Sequence, residues 1–268
     1  EGRLRRVYIG LGLFGLYLAV TGIFEATEQW SFVFPRYIAD PEVGTHFTRA
    51  RGPMVNSVSY GWYLGVAVVA LWGVWPWLTR GWQLAVLAVM PLFAAAHWFS
   101  YTRSAWIGTG LGLLVLAALS LKGRTRVLVV GGMCLAATIV AVGMSDQLMG
   151  FEREGTASDT RESAGMRKTF VYVTWQMFLD RPLWGCGFGR YVDAKNPYLS
   201  DRTSDLRLEA IRDYSHHISF LAILAENGIV GLGLFLTVLG LWSREAWLLS
   251  RAEGAPWWVR RQGIVFLA

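Results

Sequence analysis

Charged side chains are scarce in this chain. Aspartate, glutamate, lysine and arginine make up 16% of its 268 residues, whereas a soluble domain usually contains about 25%. Hydrophobic residues make up 54%, and several apolar runs approach the roughly 20 residues that a membrane-spanning helix needs. This composition argues against an ordinary soluble domain and predicts an all-α, polytopic membrane helix bundle.

Cysteine is equally scarce, with Cys134 in an apolar run and Cys186 in a polar loop. The sequence has no Cys-x-x-Cys pair and no cluster of cysteine and histidine. We therefore expect neither a disulfide framework nor a metal site, and no cofactor.

Several common enzyme motifs are also missing. The sequence lacks Gly-x-Ser-x-Gly, His-Glu-x-x-His and a Walker loop, which argues against the corresponding hydrolases, zinc proteases and nucleotide-binding enzymes. The net charge of +6 suggests a nucleic-acid partner at first sight. The basic residues flank apolar runs instead of forming a patch, so we expect membrane lipids as partners and no nucleic acid.

The apolar runs predict about seven spans in a segment of a longer protein. Residues 1–144 hold five spans and a polar outer loop at about 25–57, residues 145–217 form one large hydrophilic loop, and residues 218–268 hold the rest. In that last part, a cytoplasmic interfacial segment at 243–261 joins the sixth span to the start of a seventh. The predicted spans are 7–24, 58–78, 82–99, 105–121, 127–144, 218–242 and, in part, 262–268.

Lysine and arginine in the short loops orient these spans. If the spans alternate, nearly all such residues fall on one side, which the positive-inside rule makes cytoplasmic. The large loop, Arg51, Arg103 and His217 then lie on the extracytoplasmic face. Arg103 is an exception to the rule, a lone cation in an outer turn. It either binds an anion with its planar fork of donors or reaches lipid headgroups.

Two further stretches carry candidate chemistry. His216 and His217 stand where the large loop meets the sixth span, so either a proton-accepting role near neutral pH or a structural one fits them. In the loop, residues 163–180 predict an amphipathic helix with Arg167 in its first turn and an apolar face of Met166, Phe170, Thr174 or Trp175, and Phe178. The Gly185-x-Gly187-x-Gly189 run that follows predicts a backbone turn near a substrate or a helix.

Taken in order, these motifs resemble the bacterial O-antigen ligase and polymerase superfamily of multi-span glycosyltransferases. The resemblance rests on the turn at 102–106, on the arginine-bearing helix with its glycine run at 163–191, and on His217 followed by Gly228 and Gly231. The segment 51–56 is weakly similar to an outer-loop motif. One departure is Ile218, where the family usually has a polar residue.

The resemblance implies a metal-independent membrane enzyme of the bacterial inner membrane whose active site faces the periplasm. Such an enzyme moves a glycan from an undecaprenyl-pyrophosphate donor to a hydroxyl of a lipid, glycan or protein acceptor. His217 would be the general base, and Arg103 and Arg167 would bind the pyrophosphate. The weaker site candidates are Arg51, His216, Arg181 and Glu226.

The alternatives within the superfamily are a repeat-unit polymerase and a protein O-oligosaccharyltransferase. A transporter of lipid-linked glycans is a more distant alternative, because it predicts charges in the middle of spans and an inverted repeat, and the sequence shows few of the first and no clear case of the second. A structural assembly protein is a further alternative.

Overall fold

The computed structural model is all-helical over the residues that it describes. These are residues 1–45, 47–143, 157–200, 206–212, 214 and 219–268, with the side chains of 139–143, 157–164 and 219 left aside. No β-strand occurs among them. In chain order their α-helices are α1 (Gly2–Ala26), α2 (Ser57–Val74), α3 (Arg80–Phe99), α4 (Arg103–Ser120), α5 (Gly123–Gly143), α6 (Ala157–Asp180), α7 (Tyr191–Ala194), α8 (Ser219–Arg251) and α9 (Trp257–Leu267).

Five helical stretches are long and apolar enough to cross a membrane. They coincide with five of the predicted spans, which confirms a membrane protein with a helical architecture. The predicted fifth span falls in α5, whose end meets undescribed residues, and the predicted seventh falls in α9, which has 11 residues. The seven-span count and the extracytoplasmic loop therefore stay predictions. The five stretches are Gly2–Ala26, Ser57–Trp77, Arg80–Phe99, Arg103–Ser120 and Phe220–Arg251.

Around residue 250, the helices do not end where the predicted spans end. Helix α8 continues to Arg251, beyond the end predicted at residue 242, and α9 begins at Trp257, inside the segment predicted to be interfacial. Charged residues such as Arg244 end an apolar run but not a helix, since their side chains remain exposed. The helix stops only before Gly254, which has φ +79°, and Pro256, which precedes α9.

The chain divides into two compact units. The first comprises Glu1–Cys134 and Ser243–Ala268, and the second comprises Leu135–Trp242. In the first unit, α1, α2 and α3 share a core that includes Leu18, Tyr60 and Phe93. A Cβ atom on Gly15 would lie 2.2 Å from the Cβ of Ala67, so the backbones of α1 and α2 approach closely, as small residues allow in membrane bundles.

The second unit has its own core around α6. Phe170, Val173 and Met177 are buried and pack with residues of the loop that follows, including Tyr191 and Ile211. The predicted apolar face is therefore correct for Phe170 and Thr174, which are buried, and for Met166, which packs against this core. The face also includes Val173 and Met177, because the helical period brings them inward. Trp175, one of two side chains predicted at one position of that face, is 46% exposed.

Candidate functional site

Arg103 starts α4 directly after a tight turn. Tyr101 holds φ +46°, a conformation that few non-glycine residues adopt. The Ser100 hydroxyl donates to the carbonyl of His97 at 2.6 Å and accepts from the Thr102 amide at 3.3 Å. These bonds fix the turn, so the exposed Arg103 side chain extends from a defined backbone position.

Two tryptophans brace the same turn. The ring of Trp106 stacks on the ring of Trp98, with centroids 5.0 Å apart and planes 3° from parallel. The Trp106 indole also donates to the carbonyl of His97 at 2.7 Å. The Thr-Arg-Ser-Ala-Trp sequence at 102–106 is thus a structural device that presents one arginine.

Arg51 has a different role. It is fully buried, and its Nε atom lies 3.2 Å from the Glu25 carboxylate. Its terminal nitrogens donate to the carbonyls of Val43 and Ile38, each at 2.7 Å. Because the guanidinium is enclosed by protein acceptors, Arg51 stabilises the segment between α1 and α2 and is poorly placed to bind substrate.

In the second unit, Arg167 lies on the exposed side of α6. It lines an open depression of about 450 Å³ together with Lys168, Val171, Tyr172 and Trp175. Two cations and two aromatic rings thus share one surface. Cations of this kind bind phosphate, and exposed aromatic faces suit stacking contacts.

The glycine run at 185–189 is inserted into a break in α8. Gly228 leaves the helical conformation, with φ +64° and ψ −167°. The amide of Ile229 donates to the carbonyl of Pro182 at 2.8 Å, where an unbroken helix would use the carbonyl of Ala225. That Ala225 carbonyl instead accepts from the amide of Cys186 at 2.9 Å. The loop therefore satisfies the backbone groups that the break releases.

Glycine is required on both sides of this contact. A Cβ on Gly185 would lie 2.3 Å from the carbonyl carbon of Glu226, and one on Gly228 would lie 2.2 Å from the carbonyl oxygen of Leu183. Both obstacles are backbone atoms. The turn predicted at Gly185–Gly189 is thus a turn packed against a helix.

Glu226 is buried in the same contact. Its carboxylate accepts from the amide of Tyr191 at 3.2 Å, at the start of α7. Burial raises the pKa of the neighbouring Cys186 thiol, and the negative charge of Glu226 raises it further. Glu226 therefore links the glycine run to α8. Arg181, at the start of that run, is exposed and its charge slightly opposes the rise in the pKa of Cys186.

The predicted base His217 and its neighbour His216 lie outside the described residues. A described residue near them in sequence is Tyr214, whose carbonyl accepts a hydrogen bond from the amine of Lys195. Lys195 is fully buried, and the sequence analysis did not single it out. Its position in a polar stretch gives no signal of burial.

The chain is similar to a known protein family over the region that contains these features. A sequence model described as O-antigen ligase matches residues 92–236, which is more than half of the chain. The chain belongs to the O-antigen ligase family. The matched residues run from α3 through the turn of Arg103, α6, the glycine run and the break in α8. Membership confirms the family recognised from the motifs and indicates a membrane glycosyltransferase of the O-antigen ligase or polymerase type.

No curated protein and no solved structure matches this O-antigen ligase family member. Among the described residues, no group of three or more histidine, cysteine, aspartate or glutamate side chains is placed to hold a metal ion. Within the separate units, the structure places Arg51 and Arg103 in the first, and Arg167, Arg181 and Glu226 in the second.

One further arginine belongs with this set. Arg49 lies in the first unit, where the positive charge of Arg103 acts on it, and its position falls within the polar outer loop predicted at about 25–57. The sequence places Arg49 two residues before Arg51. Because both are arginines of the same polar loop, residue type alone does not show which of them is available to a ligand.

Proposed function

We propose that this protein transfers a glycan from an undecaprenyl-pyrophosphate carrier to an acceptor hydroxyl, on the periplasmic face of the bacterial inner membrane. The observation that supports this most directly is the family match, because residues 92–236 include Arg103, Arg167 and His217. The acceptor is a lipid in a ligase, a growing glycan in a polymerase and a protein hydroxyl in a protein transferase.

The proposed reaction is one displacement. The acceptor oxygen forms a bond to the anomeric carbon of the glycan while the bond from that carbon to the pyrophosphate oxygen breaks. His217 takes the proton of the acceptor hydroxyl as general base, a role that typically contributes about 10²- to 10⁴-fold. Undecaprenyl pyrophosphate leaves with the bonding electron pair, so it gains negative charge.

Arg103 and Arg167 are proposed to neutralise that charge. An arginine stays protonated at any physiological pH and offers paired donors to phosphate oxygens. Arg103 is held at the end of a rigid turn, which favours a preorganised contact. Arg167 borders the depression that also contains Tyr172 and Trp175, so a cation for phosphate and rings for sugar would lie side by side.

A transfer assay tests this proposal. The full-length protein, reconstituted in liposomes, is supplied with an undecaprenyl-pyrophosphate-linked glycan, lipid, glycan and protein acceptors, and excess chelator. We expect transfer by the wild type that survives the chelator, and loss of transfer in His217→Ala and Arg167→Ala. Arg212→Ala is the matched control, because Arg212 is an exposed arginine of the same unit that pairs with the nearby Glu209.

The accepted acceptor would distinguish a ligase from a polymerase or a protein transferase. Full activity in His217→Ala would contradict the base assignment. Activity lost on chelation and restored by a divalent cation would contradict the metal-independent mechanism.

A further inference from the structure

The segment before α2 is attached to the turn before α4. The amide of Ala50 donates to the carbonyl of Phe99 at 3.0 Å, and Ala50 is fully buried in the core of the first unit. Phe99 is the last residue of α3, and Arg103 follows four positions later. This backbone bond therefore fixes Arg49, the neighbour of Ala50, beside the rigid turn that carries Arg103.

Arg49 lies within the electrostatic reach of Arg103. Arg49 is partly buried, and the pKa of its guanidinium is lowered first by burial and then by the positive charge of Arg103. In the part of the chain that the structure describes, neither guanidinium has a hydrogen bond or an ion pair. Arg51, two residues from Arg49, has both.

A second positive charge near the partly buried guanidinium of Arg49 is unfavourable unless an anion joins the two. The attachments through Ala50 and through the turn keep the two arginines near each other despite this repulsion. A pyrophosphate presents two phosphate groups, one for each planar fork of donors. A ligand with only one anionic group would leave one of the two guanidinium groups without a partner.

We propose that Arg49 and Arg103 together bind the pyrophosphate group of the polyprenyl carrier, so that Arg49 is a second phosphate-binding residue in the first unit. The identity of the anion rests on the proposed function. The existence of a two-arginine anion site rests on the structure of this unit alone.

Binding and thermal stability together test this inference. The full-length protein in phosphatidylcholine nanodiscs is titrated with undecaprenyl pyrophosphate, and the dissociation constant and the melting temperature without ligand are measured. The variants are Arg49→Gln, Arg49→Lys, Arg103→Gln and the double glutamine variant. The control is Arg36→Gln, an exposed arginine of the same loop that donates to the Trp30 carbonyl.

We expect the dissociation constant to rise about 10- to 100-fold in Arg49→Gln and in Arg103→Gln, as for the loss of a charge-assisted hydrogen bond. The dissociation constant of Arg49→Lys should lie between those of Arg49→Gln and the wild type, because lysine keeps the charge but lacks the paired donors of the guanidinium. Without ligand, the melting temperature of Arg49→Gln should equal or exceed that of the wild type, because a repulsion is removed. If Arg49 were purely structural, its replacement would lower the melting temperature.

Wild-type affinity in Arg49→Gln would overturn the inference and leave the proposed function intact if the wild type transfers glycan. Binding that depends on both arginines, in a protein that transfers nothing, would support the pair and contradict the proposed function. A wild type that does not bind would overturn the inference.

A repeat in nanodiscs containing phosphatidylglycerol distinguishes the source of the phosphate. Retention of the Arg49 effect supports the carrier pyrophosphate as the ligand. Its disappearance would assign the pair to lipid headgroups and overturn the inference.

Discussion

The break in α8 at Gly228 makes a demanding test of how this fold is held together. In Gly228→Ala, the new methyl group would meet the Leu183 carbonyl at 2.2 Å and the Trp184 amide nitrogen at 2.6 Å. Both are backbone atoms that cannot rotate away. The backbone at Gly228, with φ +64° and ψ −167°, also lies in a region that is essentially restricted to glycine.

The cost follows from two terms. Backbone strain of this kind is worth about 1 to 3 kcal/mol. Moving the loop away would also break the backbone bonds from Ile229 to Pro182, from Cys186 to Ala225 and from Gly187 to Glu226, each worth about 1 kcal/mol net. Because relief of one term increases the other, we expect a loss of about 2 to 5 kcal/mol in the stability of the second unit.

The assay is thermal unfolding of the purified full-length protein in detergent, followed by limited proteolysis of the glycine run. Gly233→Ala is the matched control, because a Cβ at Gly233, in the same helix, would have nothing within 4 Å. We expect Gly233→Ala to unfold near the wild-type temperature and Gly228→Ala well below it. Equal melting temperatures for the two variants would refute the packing described for the break.

Two further substitutions test buried charge. Arg51→Met leaves the Glu25 carboxylate buried without its cation, so we expect a loss of about 3 to 5 kcal/mol in stability, measured by thermal unfolding. The control Arg36→Met should change stability by less than about 0.5 kcal/mol. Similar melting temperatures for the two variants would contradict the role of the ion pair. The second concerns Cys186, whose thiol pKa is raised by burial and by Glu226. In a protein without the other cysteine, the pH midpoint of alkylation should therefore lie above the usual value of about 8.5, and Glu226→Gln should move it downward. A midpoint that Glu226→Gln leaves unchanged would contradict the electrostatic contact.

Much of the helical architecture can be predicted from the sequence. Long apolar runs with few charges can satisfy their backbone in a membrane only as helices, and five such runs coincide with five of the helices. Hydrophobicity does not predict where a helix ends when an apolar run gives way to charged residues within the same helix. Arg244 ends the apolar run of α8, but the helix continues to Arg251, because an exposed charge does not break helical hydrogen bonds.

The roles of the candidate arginines also could not be predicted from the sequence. Arg49 and Arg51 are the same residue type two positions apart, and composition cannot separate them. Only the position of Glu25, on a helix more than twenty residues earlier, draws Arg51 into the protein. The bond from Ala50 to Phe99 then sets Arg49 beside the turn of Arg103.

The sequence by itself determined the membrane class, the helical spans and the order of motifs that belongs to the family, because these depend on local hydrophobicity and on residue spacing. Only the tertiary structure decided that the glycine run fills the break at Gly228, and that Arg51 is enclosed while Arg103 is presented. These outcomes depend on backbone groups and charges that are distant in the chain and become partners only when the helices pack.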